Sequence, residues 1–153
     1  MMSQPNIVIE SISPNNRLPE QATRGDVGYD LRWAAPHAMR YVLYRGATRL
    51  FSTGFRIALP DGYFGLVCSR SGLALHHSVA VLNAPGIIDP GYQGELQVML
   101  HNFSQTDSYP VTAGDKIAQL IILPVVTGIR FHWGKVLTEE TQRGEGGFGS
   151  TGQ

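Results

Sequence analysis

An all-β domain, an antiparallel sandwich or barrel, is the fold class this sequence predicts, and two features predict it. Short runs of β-type residues recur between clusters of Gly, Pro, Asn and Asp, with turn signals roughly every 8–12 residues. Only Ser71–His77 reads as helical, and it is too short to stand as an independent helix. The length of 153 residues fits one domain with a real core and leaves no room for two comfortable ones.

The elements follow in order. Asn6–Ile12 alternates apolar and polar residues and reads as a first strand. Tyr29–Trp33 and Met39–Tyr44 are short strands. Arg49–Leu59 is longer and ends at the turn Pro60-Asp61-Gly62, from which Tyr63–Cys68 returns as a hairpin partner. After the helical turns of Ser71–His77 come strands at Val79–Asn83 and Gly94–Asn102. They flank APGIIDPGYQ, which reads as a hairpin with two Pro-Gly turns. Tyr109–Val111, Ile117–Pro124 and Ile129–Trp133 complete the set. Residues 1–141 therefore read as the folded domain. Residues 142–153 contain RGEGGFGSTGQ, whose five glycines make either a loose terminus or an arm that orders over a ligand.

Composition excludes several functions. Lys and Arg total 12, Asp and Glu total 12, and the formal net charge is zero, so no basic excess exists to hold a nucleic-acid backbone. The N-terminus lacks a basic segment followed by an apolar one. The apolar run Ile117–Val126 is broken by Gln119 and Pro124 and is too short to cross a bilayer. The single cysteine, Cys68, cannot form an internal disulfide, and it lies in an apolar run as a core residue rather than a nucleophile. The expectation is a soluble cytoplasmic protein with neither nucleic acid nor membrane as partner. The five histidines show no spacing that pairs two of them as metal ligands.

Five segments carry chemistry, each with an ordinary alternative. In the tail, Gly144 and Gly149 have phosphate-loop spacing, but the required lysine is missing and no helix can follow. Glycine amides, Ser150, Thr151 and the forked cation of Arg143 could still bind phosphate, and Phe148 could stack on a flat base. Ser69-Arg70-Ser71-Gly72 follows a strand and offers either an anion site or a plain helix cap at Ser69 or Ser71. Asp89, in Asn83–Tyr92, is either a turn aspartate or a general base on a stiff loop. ATRGDVGYDL places Asp26 and Asp30 around a glycine pair. In GDKIAQL, Gln119 interrupts an apolar strand and needs partners from the core or from a ligand.

Taken in order, ATRGDVGYDL, SRSGLA, NAPGIIDPGYQGE, GDKIAQL and RGEGGFGSTG resemble the five motifs of the trimeric dUTPase family, over about a third of the chain. The resemblance implies a distorted jelly-roll β-barrel, a homotrimer with the C-terminal arm exchanged between subunits, and hydrolysis of dUTP to dUMP and pyrophosphate with Mg²⁺. In that family Asp89 corresponds to the residue that activates the attacking water. Asn83 and the backbone of Ile87, Ile88 and Asp89 correspond to the uracil reader, and Tyr92 to the ring under the deoxyribose. Gln97 stands where the family often has Lys or Met in contact with the base. Arg70, Ser71, Gly72 and Gln119 correspond to phosphate contacts. Asp30 corresponds to an aspartate that supports the metal through water. Arg143 corresponds to an arginine finger, Phe148 to the ring stacked on uracil, and Gly149, Ser150 and Thr151 to contacts near the terminal phosphate. Many members have proline where this chain has Ser69, a change expected to loosen the approach to the phosphate loop. Val27 replaces a smaller residue, an expected packing change. Two other readings fit the same fold: a dUTP-sensing regulator with a protein partner, and a dCTP deaminase, whose usual motif is not seen here.

Overall fold

The structure, a computed structural model, describes residues 5–135. Its elements are β1 (Val8–Ser11), β2 (Tyr29–Arg32), β3 (Arg40–Leu43), β4 (Thr48–Ala58), β5 (Tyr63–Cys68), α1 (Ser71–His77), β6 (Val79–Val81), β7 (Gly86–Ile88), β8 (Glu95–Asn102), β9 (Tyr109–Thr112) and β10 (Lys116–Pro124). The first sheet runs β1-β4-β8-β6 and the second β2-β10-β5-β7, while β3 and β9 form a separate pair. All pairings are antiparallel. The all-β expectation holds. A single closed barrel does not form, because the three sheets are separate hydrogen-bonded units among the described residues.

One core joins the two large sheets. Phe51, Phe55, Ile57, Leu96, Val98 and Leu100 enter from the first, and Leu31, Val67, Ile117, Ala118 and Leu120 from the second. Each large side chain buried in this way contributes about 1.5–3 kcal/mol. Along β8 the alternation is strict, with Leu96, Val98, Leu100 and Asn102 all turned inward. Asn102 is fully buried and satisfied: its amide nitrogen donates to the carbonyls of Leu43 (3.0 Å) and Asp107 (2.9 Å), and its side-chain oxygen accepts from the Ser104 amide (2.9 Å). It ties β3 and the loop before β9 to the core.

Two breaks in register shape the sheets. One lies between Ser52 and Arg56 of β4, where Gly54 takes a φ of +74° and its amide donates to the Glu95 carboxylate at 2.9 Å. The other lies between Lys116 and Ala118 of β10, against β2.

Two sequence expectations are corrected. APGIIDPGYQ is not a self-contained hairpin: β7 pairs with β5 in the second sheet, while the flanking β6 and β8 pair with each other in the first. The segment therefore crosses between sheets, a choice that local turn chemistry does not encode. Ile129–Trp133 is not a strand, because no partner lies beside it among the described residues. Its alternate apolar side chains stand exposed, Phe131 and Trp133 almost completely.

Candidate active site

The second sheet positions the motif residues. Gln119 on β10 sits opposite both Asp30 on β2 and Cys68 on β5, so the three form one row on one face. The opposite face, with Leu31, Val67, Ala118 and Leu120, belongs to the core. Gly28 leaves room for this row: a β-carbon there would lie 3.1 Å from the Gln119 side-chain carbonyl. Burial pushes the Cys68 thiol above its ordinary pKa, which fits an inert packing residue.

Asp30 is the most deeply buried charge at the site, with 3% exposure. An isolated carboxylate there would be very costly, and two cations offset it. Arg70 Nε donates to Asp30 Oδ1 at 3.2 Å, and Lys116 Nζ lies 2.5 Å from Oδ2. The lysine contact is an ion pair without hydrogen-bond alignment, so Oδ2 has no hydrogen bond. Arg70 also donates from a terminal nitrogen to the Lys116 carbonyl at 3.2 Å. Lys116 is the residue that sequence reasoning missed. The only signal for it was its place ahead of an apolar strand in GDKIAQL.

Arg70 itself takes the N-cap position of α1, with extended backbone and no side-chain cap, so neither Ser69 nor Ser71 caps the helix. The Ser69 hydroxyl instead accepts the Val81 amide at 2.9 Å. Ser69 thus ties the loop after β5 to β6 by a side-chain bond that proline could not make. Ser71 and Gly72 open the helix with their surfaces exposed.

The second group of motif residues lies elsewhere on the chain. Asn83 and Asp89 are exposed, Ile87 is exposed on β7, and Ile88 packs on the core opposite Gly65. The Tyr92 amide donates to the Asp89 carbonyl at 3.1 Å, closing the Asp89–Tyr92 turn. The Tyr92 hydroxyl donates to the Glu95 carbonyl at 2.9 Å. A β-carbon on Gly94 would meet that hydroxyl at 2.4 Å, so Gly94 keeps the tyrosine where it is. Gln97 is exposed on β8, and its amide nitrogen donates to the Glu95 carboxylate at 3.4 Å. Val27 is largely exposed, at the rim of a cleft it lines with Pro5, Ile7 and Tyr29.

Asp30 and Asp89 do not meet within one chain. From Asp30 on β2 to the end of β7 is three strand spacings across and about four residues along, on the order of 20 Å. Arg143, Phe148, Gly149, Ser150 and Thr151 lie outside the described residues. No cluster of three His, Cys, Asp or Glu side chains that could hold a metal occurs among the described residues.

The arrangement has counterparts. The dUTPase family profile matches residues 15–152. The deoxyuridine 5'-triphosphate nucleotidohydrolase of Cutibacterium acnes is 42% identical over 147 residues, covering 96% of this chain and 93% of that protein. The enzyme of the same name from Anaplasma marginale is 45% identical over 136 residues, covering 88% of each. Among solved structures, a variant of the Staphylococcus bacteriophage 80alpha dUTPase with dUpNHpp superposes with a TM-score of 0.85 at 28% identity, covering 97% of this chain and 99% of that one. A phage phi11 dUTPase variant, described for its coordination of a structural Mg(II) ion, gives 0.76 at 26% identity, covering 88% and 99%. Structures of the 80alpha enzyme also carry the statement that phage dUTPases control transfer of virulence genes. With motif order, fold and near full-length likeness in agreement, this chain belongs to the dUTPase family.

Proposed function

We propose that the chain is a dUTP diphosphatase, hydrolysing dUTP to dUMP and pyrophosphate. The observation that carries this reading is the buried Asp30 paired with Arg70 beside Gln119, an arginine-bearing phosphate site in a chain of this family. Asp89 takes a proton from water as the water oxygen bonds to the α-phosphorus. The bond from that phosphorus to the bridging oxygen breaks, and pyrophosphate leaves with the electron pair. Asn83 and the backbone of Ile87–Asp89 read the uracil edge, because a base with the wrong donor pattern would leave their polar groups unpaired. Tyr92 lies under the deoxyribose, where a 2′-hydroxyl would clash. Gln97 borders the base, and Arg70, Ser71, Gly72 and Gln119 bind the phosphates.

The residues fit a Mg²⁺ that arrives on the triphosphate. Asp30 supplies hard carboxylate oxygen at the site, and no cluster of three His, Cys, Asp or Glu side chains competes for the ion among the described residues. Asp30 would support the ion through water, and the ion would neutralise phosphate charge there. The product dUMP feeds dTTP synthesis, and removal of dUTP keeps uracil out of DNA. The cytoplasm is the expected compartment.

The site is shared in a homotrimer. Two observations support this: the on-the-order-of 20 Å between Asp30 and the Asp89 turn is far beyond a general base's reach, and Ile129, Phe131 and Trp133 form an exposed apolar edge with no strand partner among the described residues. One subunit brings Asp30, Arg70 and Gln119, a second the Asp89 turn, and a third its arm with Arg143, Phe148, Gly149, Ser150 and Thr151. Arg143→Ala is expected to lower kcat by about a thousandfold or more, as for other arginine fingers.

The test is pyrophosphate release with Mg²⁺, offering dUTP, dCTP, dTTP and UTP side by side. Selective turnover of dUTP is expected, and turnover of dCTP with ammonia release would favour the deaminase instead. A second reading, a dUTP-sensing regulator with a protein partner, is favoured by the likeness to the 80alpha enzyme. An Asp89→Asn chain that binds dUTP without turning it over separates the two, since signalling would survive the change and catalysis would not.

A further inference from the structure

Lys116 should not face Asp30 at all. In a regular strand, Lys116 would share a face with Ala118 and Leu120, which point into the core. The register break between Lys116 and Ala118 reverses the phase. Ile117 and Ala118 are both buried in consequence, and Lys116, opposite Arg32, emerges on the same face as Gln119, opposite Asp30. The fold thus spends a bulge to aim one ammonium at one carboxylate oxygen.

That oxygen matters for Arg70. A guanidinium beside a free carboxylate tends to grip both oxygens in a fork. Here it holds only Oδ1, through Nε, while a terminal nitrogen is drawn to the Lys116 carbonyl. Lys116 occupies the other oxygen with its side chain and steers the guanidinium with its main chain. One buried carboxylate is matched by two cations, which leaves a surplus positive charge at the mouth of the site.

We infer that Lys116 is a positioning residue for the triphosphate: by holding Asp30 Oδ2 it denies Arg70 the forked grip and keeps the outer edge of the guanidinium turned toward an incoming phosphate. This rests on the phosphate role proposed for Arg70. Lys116 acts through Asp30, not by touching substrate.

The test measures binding of dUpNHpp by calorimetry, steady-state kinetics with dUTP, and Tm, for Lys116→Met, Lys116→Arg, Asp30→Asn and the Asp30→Asn/Lys116→Met pair. Lys116→Met is expected to raise Kd and KM about ten- to a hundredfold, the scale of losing one charged contact at a partly buried site, with kcat at saturation near that of the unaltered protein. Lys116→Arg should restore most of the affinity. In the Asp30→Asn background Lys116→Met should cost little more, because the group it acts through is gone. An equal cost with and without Asp30 would mean direct contact with substrate and overturn the inference. So would unchanged Kd with only a lowered Tm, which describes a structural brace. Should Lys116→Met not fold, Lys116→Gln, which keeps most of the stem and a polar end, is judged by the same outcomes. Failure of the unaltered protein to bind dUpNHpp would instead strike the proposed function.

Discussion

The two halves of the candidate site are built in opposite ways. Around Asp30 the side chains are buried or half-buried, drawn from β2, the loop after β5 and β10, and held by opposite charges. From Asn83 to Tyr92 they stand mostly exposed, and the main chain carries the architecture through the β5–β7 pairing and the Asp89–Tyr92 turn. A charge cluster suits a substrate's phosphates, whose position is fixed by a few strong contacts. A main-chain frame suits the edge of a base, where geometry must discriminate one donor pattern from another. The first should therefore couple function to stability, and the second should keep them apart.

Mutations can break this contrast, from the largest expected effect to the smallest. Asp89→Asn should lower kcat by about a hundred- to ten-thousandfold and leave Tm unchanged, since the side chain is exposed. A matching fall in Tm would show that the turn is structural. Arg70→Ala should weaken dUTP binding and also destabilise the fold by about 1–3 kcal/mol, because Asp30 loses one of its partners while keeping Lys116. Denaturant titration beside KM measures both. Gly94→Ala should push the Tyr92 ring from its place and narrow the preference for dUTP over UTP by roughly tenfold, the lower range for a steric pocket change. Parallel kcat/KM values for the two nucleotides decide it. Smallest is Cys68: its raised pKa means less thiolate at any pH below that value, so disulfide-exchange reagents at pH 7 should label it more slowly than a free cysteine and faster after denaturation.

Elements with a local signature were legible in the sequence. Tyr63–Cys68 and Ser71–His77 occupy the residues expected of them, since turn residues punctuate the chain around them. What escaped depended on partners distant in sequence. β7 was visible as an apolar pair after Pro-Gly, but nothing local says that it pairs with β5. Ile129–Trp133 has a strand's alternation and, within its own chain, nothing to pair with among the described residues. Met39–Tyr44 was legible as a short strand, but not the anchoring of β3 to β9 and to buried Asn102. Asp30, Arg70 and Gln119 were legible as motif residues, whereas Lys116 was not, because a register break that reverses which face a side chain takes leaves no mark in a hydrophobic pattern.

The long gap between Asp30 and Asp89 has a consequence for inheritance. If each site draws these residues from different copies, a chain defective in one half and a chain defective in the other are not equally hopeless in company. Co-expressed, Arg70→Ala and Asp89→Asn chains would each supply what the other lacks, and mixed assemblies would regain sites that neither makes alone. A single such allele beside a normal one would spoil some sites in every mixed assembly and repair none. The same spacing that divides the labour among copies would then decide which mutations are complemented and which are dominant.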